Sequence, residues 1–226
     1  PAAVLKATEK AGFRITHTYG LTETYGPAVF NAPQDDWQGL DEDAYAEKLI
    51  RQGVRYHVLE DLDVLDPDTM QPVPRDGETM GEIMFKGNVV MRGYLKNKKA
   101  TEEAFSGGYF HSGDLAVMHA DGYLQIKDRS KDIIISGGEN ISSIEVEETL
   151  YKHPDILEAA VVPVPDKLRK EEVKAYLILR PGKTADDFSP DQVATHCESR
   201  LARFKIPRFV AYVDEFPRTP SNKVAK

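Results

Sequence analysis

Asp128 to Leu150, DRSKDIIISGGENISSIEVEETL, is the stretch from which the fold can be worked out. It opens on a cluster of basic and acidic side chains, Arg129, Lys131 and Asp132. Ile133 to Ile135 follow as a short apolar run, the pattern of a buried strand. Gly137-Gly138-Glu139-Asn140 supplies residue types that tolerate positive φ, so a tight reversal is expected there. Ser142 and Glu145 have the spacing of a capping box opening a helix, with Val146 and Leu150 one turn apart on its inner face. Strand, glycine turn and capped helix make a rigid loop projected from a scaffold. Alone, the same pattern suits a plain hairpin, so its neighbours decide its meaning.

The 226 residues are 41% hydrophobic and 29% charged, with a formal net charge of −8. That composition suits one large or two small globular domains. The acidic balance argues against nucleic acid or an anionic membrane as the main partner. No apolar run approaches the length of a bilayer span, and no signal peptide is visible. The single cysteine, Cys197, excludes an internal disulfide. Four residues from both Val193 and Leu201, it reads as a buried reduced thiol, and a cytoplasmic setting is expected. The start at Pro1, without methionine, and the stop at Lys226 suggest a chain cut at both ends.

Outward from the central stretch, residues 2–11 have helical propensity and end at Gly12. Phe13 to Thr18 alternate as a strand, and Thr18 to Thr24 form a loop carrying hydroxyls, a glycine and a carboxylate. Asp41 to Arg51 is an amphipathic helix. Strands are expected at Tyr56–Glu60, Asp63–Leu65 and Gly81–Lys86, then a short helix from Asn97 to Phe105. Between Tyr109 and Lys127 two strands meet at the turn His119-Ala120-Asp121-Gly122. Beyond Leu150 come strands near Ala159–Val164 and Val173–Leu179. A helix capped by Ser189 with Pro190 at its first position follows, its apolar face Val193, Cys197, Leu201 and Phe204. Arg208–Val213 is the last strand, and Phe216 to Lys226 a turn carrying Lys223. His57 and His111 lack metal-ligand partners at useful spacing and read as structural or pocket-lining.

Four motifs in order, Tyr19-Gly20-Leu21-Thr22-Glu23, Phe110-His111-Ser112-Gly113-Asp114, Asp128 to Asp132 with Gly137-Gly138-Glu139-Asn140, and Pro217 to Lys223, resemble the adenylate-forming superfamily. Its members include acyl-CoA synthetases, peptide-synthetase adenylation domains and luciferases. The resemblance spans essentially the whole chain. It implies a fold of α/β and α+β parts: residues 1–128 as the strand-rich end of the large AMP-binding domain, 129–131 as a hinge, and 132–226 as a small mobile α+β domain. It also implies chemistry: a carboxylic acid attacks the α-phosphate of ATP, and the acyl group then passes to a thiol. On that pattern Tyr19 and Gly20 adjoin the adenine, Thr22 bonds the α-phosphate, and Glu23 serves Mg²⁺. Asp114 accepts from the ribose hydroxyls, as carboxylates do in dinucleotide folds, and Arg129 adds donors. Lys223, with Thr22 and Glu23, is catalytic, supplying positive charge as negative charge builds at the α-phosphate. Gly137, Gly138 and Glu139 serve the coenzyme A stage, Lys131 is the hinge residue, and Tyr25, Gly26 and Pro27 line the acyl pocket.

The resemblance has gaps. The family's Ser/Thr/Gly-rich phosphate loop has no match here and is expected upstream of Pro1. The chain is therefore expected to be the C-terminal half of a longer enzyme, inactive alone. Asn222 replaces the glycine that usually precedes the catalytic lysine, and Asn is the non-glycine residue best suited to positive φ. Asp128 replaces another frequent glycine. Tyr19 to Glu147, with Trp37 and Arg51 to Tyr56, resemble CoA ligases for short- to medium-chain acids. Phe216 to Lys226 resemble carnitine-type CoA ligases. The expected function is an ATP-dependent acid:CoA ligase using a small carboxylic acid, ATP and coenzyme A. The alternatives are an adenylate former with a carrier-protein thiol acceptor, or a non-catalytic binding module.

Overall fold

The computed structural model describes residues 2–220 and 222–226; Pro1 and Ser221 lie outside the described residues. The chain divides between Ser130 and Lys131 into two compact units. That point falls inside the stretch 129–131.

The first unit runs α1 (Ala2–Lys10), β1 (Thr18–Leu21), β2 (Gly26–Phe30), α2 (Glu42–Leu49), β3 (Val54–Arg55), β4 (Asp61–Leu65), β5 (Met80–Lys86), α3 (Lys98–Ala104), β6 (Phe110–Met118) and β7 (Leu124–Arg129). Local signals fix the helix starts. Asp41 accepts from the backbone of Asp43 and Ala44, and Asn97 from that of Ala100, satisfying N–H groups that have no partner in a first turn. The strands β1-β2-β3 form one antiparallel sheet and β4-β5-β6-β7 another. As an inner strand, β5 is apolar almost throughout, and Ile83, Met84 and Phe85 are fully buried.

Three expectations shift. The strand placed at Phe13–Thr18 begins only at Thr18, because β2 offers partners from Thr18↔Phe30 onward, and Phe13 is left exposed. Thr18 to Leu21 is thus strand rather than loop, followed by one 3₁₀ turn, Thr22–Thr24. Tyr56–Glu60 is not a strand. The Arg55 side chain donates to the carbonyls of Leu59 and Glu60 and holds the segment as a turn.

The second unit runs β8 (Ile134–Ser136), β9 (Glu139–Ile141), α4 (Ser143–Tyr151), β10 (Ile156–Asp166), β11 (Lys170–Leu179), α5 (Pro190–Glu198) and β12 (Phe209–Tyr212). The sheet order is β10-β11-β8-β9, with β12 parallel to β11. Strand alternation sorts its faces. Val161, Val173, Ala175 and Leu177 pack with Val146 and Leu150 of α4 and with Val193 and Cys197 of α5. Ala160 and Ile178 face the other way, onto Phe216 and Val224. Ser142 caps α4 and Ser189 caps α5, the latter as a full capping box with Gln192. The Glu145 carboxylate is taken by Lys205 at 2.7 Å. Burial pushes the Cys197 thiol up to about 11, fitting a buried reduced thiol. In the central stretch, only Gly137 and Gly138 make the turn, at φ +61° and +92°. Glu139 and Asn140, expected in the reversal, pair with Ser136 and Ile135 as β9. A two-residue loop with both φ positive matches the twist of its strands, so the hairpin closes on the glycines alone.

Candidate active site

The site is built around Asp114. This residue is 5% exposed and stands near the middle of β6, paired with Arg129 across β7. The Tyr19 hydroxyl donates to Asp114 Oδ2 at 2.6 Å, and Arg129 Nε donates to Oδ1 at 3.1 Å. Residues 95 positions apart thus meet through side chains alone. Burial, then the neighbouring carboxylate, pushes the Tyr19 hydroxyl far above the ordinary tyrosine range, so it remains a donor. Each carboxylate oxygen has two lone pairs, and each has one protein donor here, so both keep acceptor capacity for a ligand hydroxyl. The Arg129 side chain is half exposed.

The segment after β1 is held as firmly. The Thr24 hydroxyl is buried, accepts from Leu21 N–H at 2.9 Å and donates to Gly26 O at 2.9 Å. A Cβ at Gly20 would sit 2.0 Å from the Gly26 carbonyl oxygen, so only glycine lets β1 and β2 approach there. Thr22 and Glu23 project from this locked turn, with Thr22 exposed. Glu23 Oε1 accepts from the Tyr94 hydroxyl at 3.1 Å, and Glu23 O accepts from Met91 N–H at 2.7 Å. Tyr25 takes φ +61° and is 91% exposed, beside Gly26 and Pro27 at the start of β2. Among the described residues no group of three or more His, Cys, Asp or Glu could hold a metal ion. Glu23 therefore fits Mg²⁺ only in the way that suits this ion, as one carboxylate completed by water and substrate phosphates.

In the second unit the glycine turn and the lysine turn stand apart. Gly137 N–H donates to Arg169 O, beside the start of β11. A Cβ at Gly138 would meet nothing within 4 Å, so the turn is open to solvent. The Lys223 turn packs through Val224 on the cluster of Ala160, Ile178 and Phe216, and Ala160 pairs with Tyr176 of β11. Lys170, paired with Ser136 beside the glycine turn, and Tyr176 are six residues apart on β11, ~20 Å. Thr219 N donates to Lys223 O at 2.8 Å and Asn222 N to Thr219 O at 2.8 Å, closing a hairpin in which Asn222 takes φ +64°. Asn222 thus occupies the positive-φ conformation expected of it. Arg218 anchors the base with two bonds to Glu158, at 2.6 and 2.8 Å. Lys226 is held by Ser143 Oγ at 2.6 Å and Glu147 at 2.7 Å, while Lys223 itself is exposed.

A strand-rich unit followed by a small α+β unit is the architecture this chain shares with solved adenylate-forming enzymes. The o-succinylbenzoate CoA synthetase of Bacillus subtilis, solved with its acyl-adenylate intermediate, superposes with a TM-score of 0.82 at 33% identity, over 99% of this chain and 42% of that one. An anthranilate CoA ligase bound to anthranoyl-AMP gives 0.84 at 29% identity, over 99% and 41%. The family description "AMP-binding enzyme" matches residues 1–95 and "AMP-binding enzyme C-terminal domain" residues 145–223. The chain belongs to the AMP-binding enzyme family. An acetate–CoA ligase of Humulus lupulus is 51% identical and a peroxisomal acetate/butyrate–CoA ligase of Arabidopsis thaliana 47%, each over the whole of this chain. This chain spans 40% of the length of those two relatives.

Sequence reasoning passed over Tyr94, Glu82, Ser130 and the Glu158–Arg218 pair. Glu82 carried a usable signal: one carboxylate inside the otherwise apolar Met80–Phe85 run of a buried strand, which needs a partner to be tolerated. No helix among the described residues is long and apolar enough to cross a membrane.

Proposed function

We propose that the enzyme containing this chain is an ATP-dependent carboxylic acid:CoA ligase. An acid carboxylate oxygen attacks the α-phosphorus, the bond to pyrophosphate breaks, and acyl-AMP forms. The coenzyme A sulfur then attacks the acyl carbon, AMP leaves, and the thiol proton passes to solvent. The observation that carries the reading is the Tyr19–Asp114–Arg129 corner, where separate motifs meet around a buried carboxylate with acceptors to spare. Asp114 binds the ribose hydroxyls, with Tyr19 and Gly20 beside the base and Arg129 adding donors. Thr22 bonds the α-phosphate and Glu23 orients the Mg²⁺ that accompanies ATP, an ion that neutralises phosphate charge. Lys223 offsets the charge developing between the attacking oxygen and phosphorus. The open Gly137–Glu139 hairpin serves the thiol, and residues 132–226 turn about Lys131 between the two steps. The ~20 Å separation on one small unit supports that last role, since one active centre cannot hold both turns together.

Tyr25, Gly26 and Pro27 border the acyl group, and the named relatives favour a small acid such as acetate or butyrate. The lone buried thiol fits a cytoplasmic enzyme, and its relatives include peroxisomal ones. The test uses the whole enzyme. Acetate, butyrate, octanoate and carnitine are offered with ATP and Mg²⁺, and pyrophosphate release is followed with and without coenzyme A. Acid-dependent release and an acyl-CoA product are expected. No release with any acid would overturn the reading, and a thioester formed only on a pantetheinylated carrier protein would move it to the carrier-protein alternative.

A further inference from the structure

Leading up to Asp114, β6 departs from a regular ladder. Met84 pairs with His111 and Glu82 with Leu115, so Ser112, Gly113 and Asp114 stand opposite the single residue Ile83. A bulge of this kind removes backbone groups from the ladder and re-aims a side chain. Gly113 takes φ +73°. Its N–H donates to Glu82 Oε1 at 2.7 Å, so the carboxylate of β5 stands in for a ladder carbonyl. Glu82 Oε2 lies 2.8 Å from His111 Nδ1, and His111 Nε2 lies 3.0 Å from the Ser106 carbonyl oxygen. Both ring nitrogens lie against oxygen atoms, so the imidazole is held from two sides. The Glu82 side chain is 10% exposed and that of His111 17%. On the far side, Ser130 donates to Gly113 O through N at 2.9 Å and Oγ at 2.7 Å. Ser112 Oγ donates to Ile83 O at 2.6 Å.

We infer that Glu82 and His111 form a positioning pair for nucleotide binding. They fix the Gly113 peptide and thereby aim the Asp114 carboxylate at the ribose. The inference rests on the proposed ribose role of Asp114. Neither residue touches the ligand. His111 holds the Glu82 carboxylate in one orientation, and the carboxylate holds the Ser112–Gly113 peptide, one before the peptide that leads into Asp114. A purely structural pair would affect stability and every substrate alike; a positioning pair acts on the nucleotide.

The whole enzyme decides between them through ATP affinity and the KM for the acid, measured on Glu82→Ala, Glu82→Gln, His111→Ala and Asp114→Ala. Glu82→Ala leaves the Gly113 N–H unsatisfied and should weaken ATP binding ~10-fold, with the acid KM within ~2-fold. Glu82→Gln still offers an amide oxygen to Gly113 and should recover most of the loss. His111→Ala should fall between them and keeps the test open if Glu82→Ala does not fold. Equal rises for ATP and acid, or no rise with folded Glu82→Ala or His111→Ala, would overturn the inference provided Asp114→Ala weakens ATP. Asp114→Ala without effect on ATP would instead defeat the ribose reading beneath it.

Discussion

The Asp114 corner and the Lys223 turn are built in opposite ways. Asp114 is almost sealed, its carboxylate shared by Tyr19 and Arg129, and the Gly113 before it is fixed through its N–H by Glu82 and through its carbonyl by Ser130. Lys223 is exposed on a short hairpin that depends on its own few hydrogen bonds and an anchored base. The difference follows from what each group must do on the proposed mechanism. The nucleotide remains bound through both half-reactions, so its acceptor gains from preorganisation in a dry site. The lysine is needed in one half-reaction only, and a turn complete in itself can be carried on a unit that moves. Damage at Asp114 should therefore register in nucleotide affinity, and damage at the lysine turn in one step.

The largest effect tests the lysine side. Lys223→Ala should lower adenylate formation by ~1000-fold, the upper range for loss of a preorganised charge-stabilising donor. Thioester formation from supplied acyl-adenylate should stay within a few-fold. Single-turnover measurement of pyrophosphate release and of acyl-CoA separates the steps, and equal losses would make Lys223 structural. Lys226 does not compete for the role, since Ser143 and Glu147 already hold its amine.

Lys131→Pro tests whether the second unit must turn. Proline fixes φ near −65° and removes a donor, so it blocks the large backbone rotation that a hinge requires. Adenylate formation should remain within a few-fold, and thioester formation should fall by ~100-fold, ~2.7 kcal/mol of barrier. A parallel fall in both rates would remove Lys131 from the hinge. Asp114→Ala comes next. A hydrogen bond to a charged group contributes ~1.5–3 kcal/mol, so the KM for ATP should rise about 10- to 100-fold while that for the acid hardly moves. Unchanged ATP kinetics would leave Asp114 as a strand carboxylate capped by Tyr19.

Legibility in the sequence follows the range of the interactions. The caps at Ser142 and Ser189 are local and form where expected, and the helices expected from Asp41 and Asn97 start there, capped by those residues. The buried faces of α4 and of α5 at Val193 and Cys197 also form where expected, whereas Leu201 and Phe204, expected on the same face, pack on this core from beyond the end of α5 at Glu198. Strand bounds are set by distant partners, and the strand expected at Phe13–Thr18 slid to Thr18–Leu21 because β2 supplies partners only there. Glu139 and Asn140 look like turn residues, yet the glycines close the hairpin first and leave them to β9. Tyr19, Asp114 and Arg129 were legible as separate motif residues, but Arg129 meets Asp114 through the pairing of β6 with β7, and Tyr19 meets it only through a side chain crossing from the other sheet. Glu82 shows the limit most clearly. Its partner, the Gly113 N–H, becomes free only through a bulge that requires both strands to be in register.

The smallest effect probes how local the lysine turn is. Asn222 takes φ +64°, where Asn sits at little cost and a β-branched residue does not. Asn222→Val should cost ~1–2 kcal/mol in that conformation. Were the turn part of a cooperative core, the cost would appear in the melting temperature of the whole unit. Yet Asn222 and Lys223 are exposed, and the bonds from Thr219 to Lys223 and from Asn222 to Thr219 all lie within the hairpin. The strain can therefore be relieved by opening the turn while Arg218 and Val224 keep its base docked. Adenylate formation should then fall ~5- to 30-fold, the same energy expressed as the fraction of turns correctly closed, while thioester formation and the melting temperature barely change. Asn222→Gly, free of strain at this φ, should restore or slightly exceed the original rate. A fall in melting temperature without a selective loss of adenylation would mean that the turn belongs to the core, and the contrast with the Asp114 corner would fail.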